Sequence, residues 1–255
     1  MQACDKCFKK RYWTSTGKFT KDGERIWKCR YQGCGHEQAE EPPRGRAHVP
    51  SKVLYFDIET SLIEVKQQVW GLKNYSSYID PDAITKDQYI ICWGGAWVED
   101  GKRPRVFGGC VTQREAVDRD DKRIMKKLRD SMELADYVVG HNMRPYDWKT
   151  VNARILINGL KAPLEPKIID TLSMSRRKFR VASHKLEYWS MKLQGKPKDD
   201  MHRADWEKIQ ENGDARSLRK MFKYCKGDIR EGVNIYLKFK KFYEDSTGKP
   251  LYKYG

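Results

Sequence analysis

The chain alternates between short runs that are apolar on both faces and longer segments whose apolar positions recur every three or four residues. Val53-Leu54-Tyr55-Phe56-Asp57-Ile58-Glu59-Thr60 is the clearest of the short runs. Successive side chains of a strand point to opposite faces. Leu54, Phe56 and Ile58 therefore line one face, and Val53, Tyr55, Asp57 and Glu59 the other, as in a central strand covered on both sides. Tyr89–Val98 predicts a second strand and Arg105–Phe107 a third, joined by the turn Glu99-Asp100-Gly101-Lys102. The stretch 61–88 between them is expected to be irregular. Residues 113–134 space Ala116, Ile124, Leu128 and Leu134 among charges and predict mostly helix.

Ala135–Gly140 and Lys167–Thr171 are further short strands. Between them Pro145 fits the first position of a helix, Trp148, Val151 and Ile155 continue it, and Asn158-Gly159 closes it. Ser183 is expected to cap a helix that carries Leu186, Trp189 and Leu193. The last helix runs from about Asp214 to Phe242, with Met221, Tyr224/Cys225, Asp228/Ile229, Gly232/Val233 and Tyr236 on its apolar stripe. Strands alternating with helices predict a mixed α/β sheet covered on both faces.

The first 38 residues follow another pattern. Cys4-Asp5-Lys6-Cys7 and Cys29-Arg30-Tyr31-Gln32-Gly33-Cys34 flank two aromatic, β-prone runs, Lys10–Trp13 and Arg25–Lys28. Asp22-Gly23 between the runs is a hairpin-turn signal. Each cysteine pair can supply two thiolates from a tight knuckle, and two knuckles make a tetrahedral zinc site. The segment resembles a zinc ribbon, with one structural Zn²⁺ on Cys4, Cys7, Cys29 and Cys34; His36 is an alternative to Cys34. So short a segment buries too little core to fold without the metal. Residues 39–51 read as a Pro-containing linker. A main domain is expected over 52–255.

Composition narrows the partners. The 255 residues carry a net charge of +16, which favours nucleic acid as the ligand. No run of about 18 apolar residues exists, so no membrane span is expected. The start of the chain lacks the apolar core of a signal peptide. Of seven cysteines, four lie before residue 35. That clustering fits metal ligands and buried thiols in a reducing, cytoplasmic setting better than a disulfide framework.

Three acidic motifs with four carboxylates carry the candidate chemistry. Asp57 and Glu59 share one face at the end of the first strand. Asp147 falls in the first turn of a helix that starts where a strand ends, the edge at which open α/β sheets bind ligands. The plain alternative is an acid favoured there by the helix dipole. Asp228 sits on the apolar stripe of the last helix, where an unpaired carboxylate is expensive, and Tyr224 lies one turn before it. Asp170 ends a strand and is expected to cap the next helix or order a loop.

Phe56-Asp57-Ile58-Glu59-Thr60, Asn142 with Tyr146-Asp147, and Tyr224 with Asp228 resemble, in order and spacing, the three motifs of the DEDDy 3′–5′ exonucleases. The likeness is to proofreading domains of family B DNA polymerases and to stand-alone phage or bacterial exonucleases, and it spans about residues 52–240. It implies an RNase H-like (DnaQ-like) fold with a mixed five-stranded sheet flanked by helices. It further implies that Asp57, Glu59, Asp147 and Asp228 hold two Mg²⁺ or Mn²⁺ ions and that Tyr224 orients or activates the attacking water. The substrate implied is the single-stranded 3′ end of DNA, with replication or repair proteins as further partners, in a bacterium or phage-infected cell. RNA exonuclease, endonuclease and non-catalytic nucleic-acid-binding module stand as alternatives. Arg176–Arg180 and Lys238–Tyr243 are basic, aromatic clusters that can bind phosphates or simply form solvated faces.

Overall fold

The structure, a computed structural model, describes residues 13–19, 25–31, 34–39, 52–66, 68, 79–195, 201–248 and 251. The chain divides into two compact units between residues 51 and 52. The N-terminal unit contains β1 (Trp13–Phe19), β2 (Arg25–Cys29) and β3 (Glu37–Ala39). They form an antiparallel sheet in the order β1-β2-β3, with Trp13 opposite Cys29. The hairpin follows the two aromatic runs, and β3 extends the unit into a stretch without local periodicity.

The second unit opens with β4 (Val53–Thr60), followed by the short pair β5 (Glu64–Val65) and β6 (Ile84–Lys86). β7 (Ile90–Trp97) and β8 (Val106–Cys110) come next, then α1 (Gln113–Asp118), α2 (Lys122–Glu133) and β9 (Tyr137–Gly140). After them come α3 (Asp147–Ile157), β10 (Lys167–Asp170), α4 (Thr171–Lys178), α5 (Leu186–Gln194), α6 (Arg203–Asn212) and α7 (Ala215–Thr247). Five strands make one mixed sheet, β10-β9-β4-β7-β8. β4 is central, antiparallel to β7 and parallel to β9. This is the mixed five-stranded α/β architecture that the sequence predicts.

The alternation along β4 sets the two layers. Leu54, Phe56 and Ile58 are buried in the main core with Ile124, Met125 and Leu128 of α2. Trp93, the cross-strand partner of Ile58, donates its indole N–H to the Ile124 carbonyl at 3.0 Å. Each such side chain contributes about 1.5–3 kcal/mol by leaving water. On the other face α7 packs against β4, β7 and β8, and the Cys225 thiol lies 3.9 Å from the Asp57 carbonyl oxygen. Close approach there depends on Gly232. A Cβ at that position would stand 2.1 Å from the hydroxyl of the buried Tyr55.

Local expectations differ from the structure in a few places. Pro145 lies two residues before α3, in the turn that leads into it. Ser183 accepts a hydrogen bond from Lys185 N–H instead of capping α5, whose N-cap is Lys185. α6 has no counterpart among the expected helices. It buries only Ile209 and Gln210, too few positions to give a periodic signal.

Candidate active site at the end of the central strand

β9 pairs with β4 only from Val53 to Tyr55, so the same edge of β4 is open from Phe56 onward. The chain leaving β9 turns into that gap. A Cβ on Gly140 would stand 2.3 Å from Met143 Cε and 3.0 Å from the Phe56 carbonyl oxygen, so a larger residue would displace the Met143 side chain and crowd β4. Asn142 adopts the left-handed conformation, with φ of 65°. Asp170 holds this loop. Its two carboxylate oxygens accept the backbone N–H groups of Asn142 and Arg144, each at 3.1 Å, and the Leu172 and Ser173 N–H groups of α4 at 2.9 and 3.3 Å. Asp170 thus both caps a helix and orders the loop.

The loop delivers Asp147, the first residue of α3, to the end of β4. Its carboxylate is 4 % exposed and accepts hydrogen bonds from its own and the Ile58 backbone N–H groups. Burial raises its pKa well above the ordinary carboxylate value, and the charges of Asp57 and Glu59 add to the rise. Asp57 and Glu59 are half-buried on β4, and Asp228, 5 % exposed, projects from α7. Carboxylate oxygens of Asp57, Glu59 and Asp228 all lie within 4.8 Å of one another. Tyr55 lies beneath them. Its phenol is pushed up by burial and then by Asp57, Asp228 and Asp147 in turn. Asp57, Glu59 and Asp228 from two elements therefore meet, and Asp147 from a third is close enough for the charges of Asp57 and Glu59 to act on it. Tyr224 is half-buried on α7, one turn before Asp228.

These donors suit a hard divalent cation. All are carboxylate oxygens, the preference of Mg²⁺ and Mn²⁺ rather than of softer metals. Crowded anions with Asp147 pushed toward its neutral form are what a cation would relieve. In the N-terminal unit Cys29 is buried and Cys34 half-buried. The Cys29 N–H bonds the His36 carbonyl at 2.8 Å, and the Cys34 N–H bonds the Tyr31 carbonyl at 2.7 Å in a tight turn. Cys4 and Cys7 lie outside the described residues.

Two features around the site escape sequence reasoning. The exposed Tyr146 shares a hydrogen bond with Thr60 Oγ1 at 2.8 Å, and the Gln88 side-chain amide donates to both hydroxyls at 3.1 and 2.8 Å. The position before Asp147 is thereby tied to the end of β4. Asp121 is fully buried and accepts Arg154 Nε and Nη2 at 2.8 and 2.9 Å, Asn158 Nδ2 at 2.7 Å and Ile90 N–H at 2.9 Å. It joins α3 to β7 behind the site. In the charged run Asp118–Arg123 nothing distinguishes it from its solvated neighbours.

Comparison with known proteins places these elements in context. The sequence model of the RNase H superfamily matches residues 78–239, a span that includes Asp147, Tyr224 and Asp228 but begins after β4. A search of curated protein sequences finds no match. Among solved structures, the family B DNA polymerase from the hyperthermophilic archaeon Pyrobaculum calidifontis aligns at 18 % identity with a TM-score of 0.46. The alignment covers 79 % of this chain and 25 % of the polymerase chain.

Proposed function

This chain belongs to the RNase H superfamily, and from that premise we propose that it is a metal-dependent 3′–5′ exonuclease acting on DNA. The observation that carries the reading is the meeting of Asp57, Glu59 and Asp228 within 4.8 Å, with Asp147 near enough that the charges of Asp57 and Glu59 raise its pKa. In this reading the four carboxylates hold two Mg²⁺ or Mn²⁺ ions. Ions held by these carboxylates would supply the activation of a water and the stabilisation of the leaving 3′ oxygen in an in-line displacement.

The chain's own residues supply position. β4 gives two ligands on a rigid strand, and Asp170 fixes the loop that carries Asp147. Tyr224, one turn from Asp228, orients the attacking water through its phenol. The net charge of +16 draws the polyanion to the protein.

The test is direct. 5′-labelled single-stranded and duplex DNA and RNA are incubated with the protein in Mg²⁺, in EDTA, and beside Asp57→Ala. A DNA ladder shortening from the 3′ end, abolished by EDTA and by the substitution, is the expected result. Binding without degradation in either metal would sink the proposal.

The N-terminal unit reads as a zinc ribbon that seats the substrate, with Cys4, Cys7, Cys29 and Cys34 as ligands. The buried Cys29 and the turn at Cys34 support this. Metal analysis should find one Zn²⁺ per chain, lost in Cys29→Ser; unchanged zinc in that variant would refute the site.

A further inference from the structure

The two basic, aromatic clusters of the sequence lie about sixty residues apart, and the fold joins them. Phe179, directly after α4, packs its ring 5.3 Å from Phe239 and 5.1 Å from Phe242 of α7. The Lys178 ammonium lies 5.4 Å from the Tyr243 ring centre. Beneath them Met174, Trp189, Ile235 and Phe239 are buried as a small second core. Phe242 continues this aromatic stack outward and is 49 % exposed. Packing accounts for the inner rings but leaves half of the outermost one in water.

The segments that meet at that ring are strongly basic up to Tyr243, and Glu244 and Asp245 follow in the last turn of α7. Arg176, Arg177, Arg180 and Lys241 are exposed and form no ion pair among the described residues. Residues 171–186 and 232–243 contain no acid; Glu187, Glu244 and Asp245 follow directly, and Glu244 accepts the Leu251 N–H at 3.0 Å. A solvated helix face ordinarily mixes signs, as α2 does with Lys126, Lys127 and Asp130. An exposed aromatic among unpaired cations is the combination that binds single-stranded nucleic acid, by stacking a base and neutralising its phosphates.

We propose that Phe242, with Arg176, Arg177, Arg180 and Lys241, binds nucleotides of a single strand upstream of the end being degraded. Both elements of this patch run from the active site. α4 starts at Asp170, which holds the Asp147 loop. Asp228 and Phe242 share α7, and the fourteen residues between them span about 21 Å at 1.5 Å per residue. That distance matches about six nucleotides at the stacked rise of about 3.4 Å. The inference rests on the nuclease reading only for the position of the 3′ end.

The full chain is tested against a labelled single strand of about 12 nucleotides, a trinucleotide too short to span the distance, and a blunt duplex. Phe242→Ala and the double variant Arg176→Glu/Arg177→Glu are compared with wild type. Binding is read by fluorescence anisotropy in EDTA, and cleavage in Mg²⁺. Both variants should weaken binding of the long strand about tenfold or more and slow its degradation, while cleaving the trinucleotide as wild type does. If Phe242→Ala melts early, the charge reversal on the exposed arginines decides. Variants that bind and degrade the long strand like wild type overturn the patch and leave the nuclease reading standing. Loss of duplex binding equal to loss of single-strand binding overturns the stacking role. Wild type that binds in a Phe242-dependent way yet never cleaves keeps the patch and removes the nuclease.

Discussion

At the scale of the residue, Asp147 shows most clearly that this site is built for something other than stability. A carboxyl whose folded pKa lies above its unfolded value weakens folding increasingly as pH rises past the unfolded pKa and in full above the folded pKa, and the cost is gone once pH falls below the unfolded value. Burial and the charges of Asp57 and Glu59 put Asp147 in that position. Asparagine keeps the shape and the acceptor for Ile58 N–H while removing the charge. Without divalent metal at neutral pH, Asp147→Asn should therefore melt higher, by roughly 2–4 °C for a gain of about 1 kcal/mol. Its cleavage rate should fall about 10²-fold or more. Calorimetry in EDTA beside a cleavage assay checks both. Unchanged activity would remove Asp147 from the chemistry. Glu115 makes the opposite case. Its hydrogen bonds with Arg123 hold its pKa down at about 2. It thus adds stability above the ordinary carboxylate range that is lost as pH falls toward 2. One carboxylate is paired with a cation; the other is crowded by anions.

At the scale of the element, β4 and α7 were legible in the sequence because each carries a long, unbroken period. The two-residue period of Leu54, Phe56 and Ile58 names the core face and so assigns Asp57 and Glu59 to the other. The stripe of α7 places Asp228 toward the sheet. The convergence itself was not legible. It depends on where β9 parts from β4, on the left-handed Asn142, and on Asp170 reaching back to the loop, all contacts between segments distant in sequence. α6, β5 and β6 were missed because each is short or sparsely buried, and Asp121 because a buried acid amid charges has no local signature. α7 also offers a contrast between two glycines. Gly232 faces Tyr55, where a Cβ would meet the hydroxyl at 2.1 Å, whereas a Cβ on Gly227 meets nothing within 4 Å. Gly232→Ala should destabilise by about 1–3 kcal/mol through overpacking. Gly227→Ala should stabilise by up to about 1 kcal/mol through helix propensity. Denaturant titration of both decides; equal effects would mean that α7 does not press on Tyr55 as described.

At the scale of the whole molecule, a strongly positive chain gathers carboxylates at the end of its central strand. A net charge of +16 brings a polyanion close, yet the carboxylates at the end of β4 would repel its phosphates unless cations stand between them. Among the described residues no helix is long and apolar enough to cross a membrane. Nucleic acid plus divalent metal reconciles the two charges. The claim at the centre of this account is that carboxylates from β4, α3 and α7 form one metal site. Equilibrium titration of the full chain with Mn²⁺, followed by the electron paramagnetic resonance of the free ion, tests it without recourse to activity. Two bound Mn²⁺ per wild-type chain, and fewer in both Asp57→Asn and Asp228→Asn, is the predicted result. Wild type that binds no Mn²⁺, or variants that bind as many ions as wild type, would contradict it.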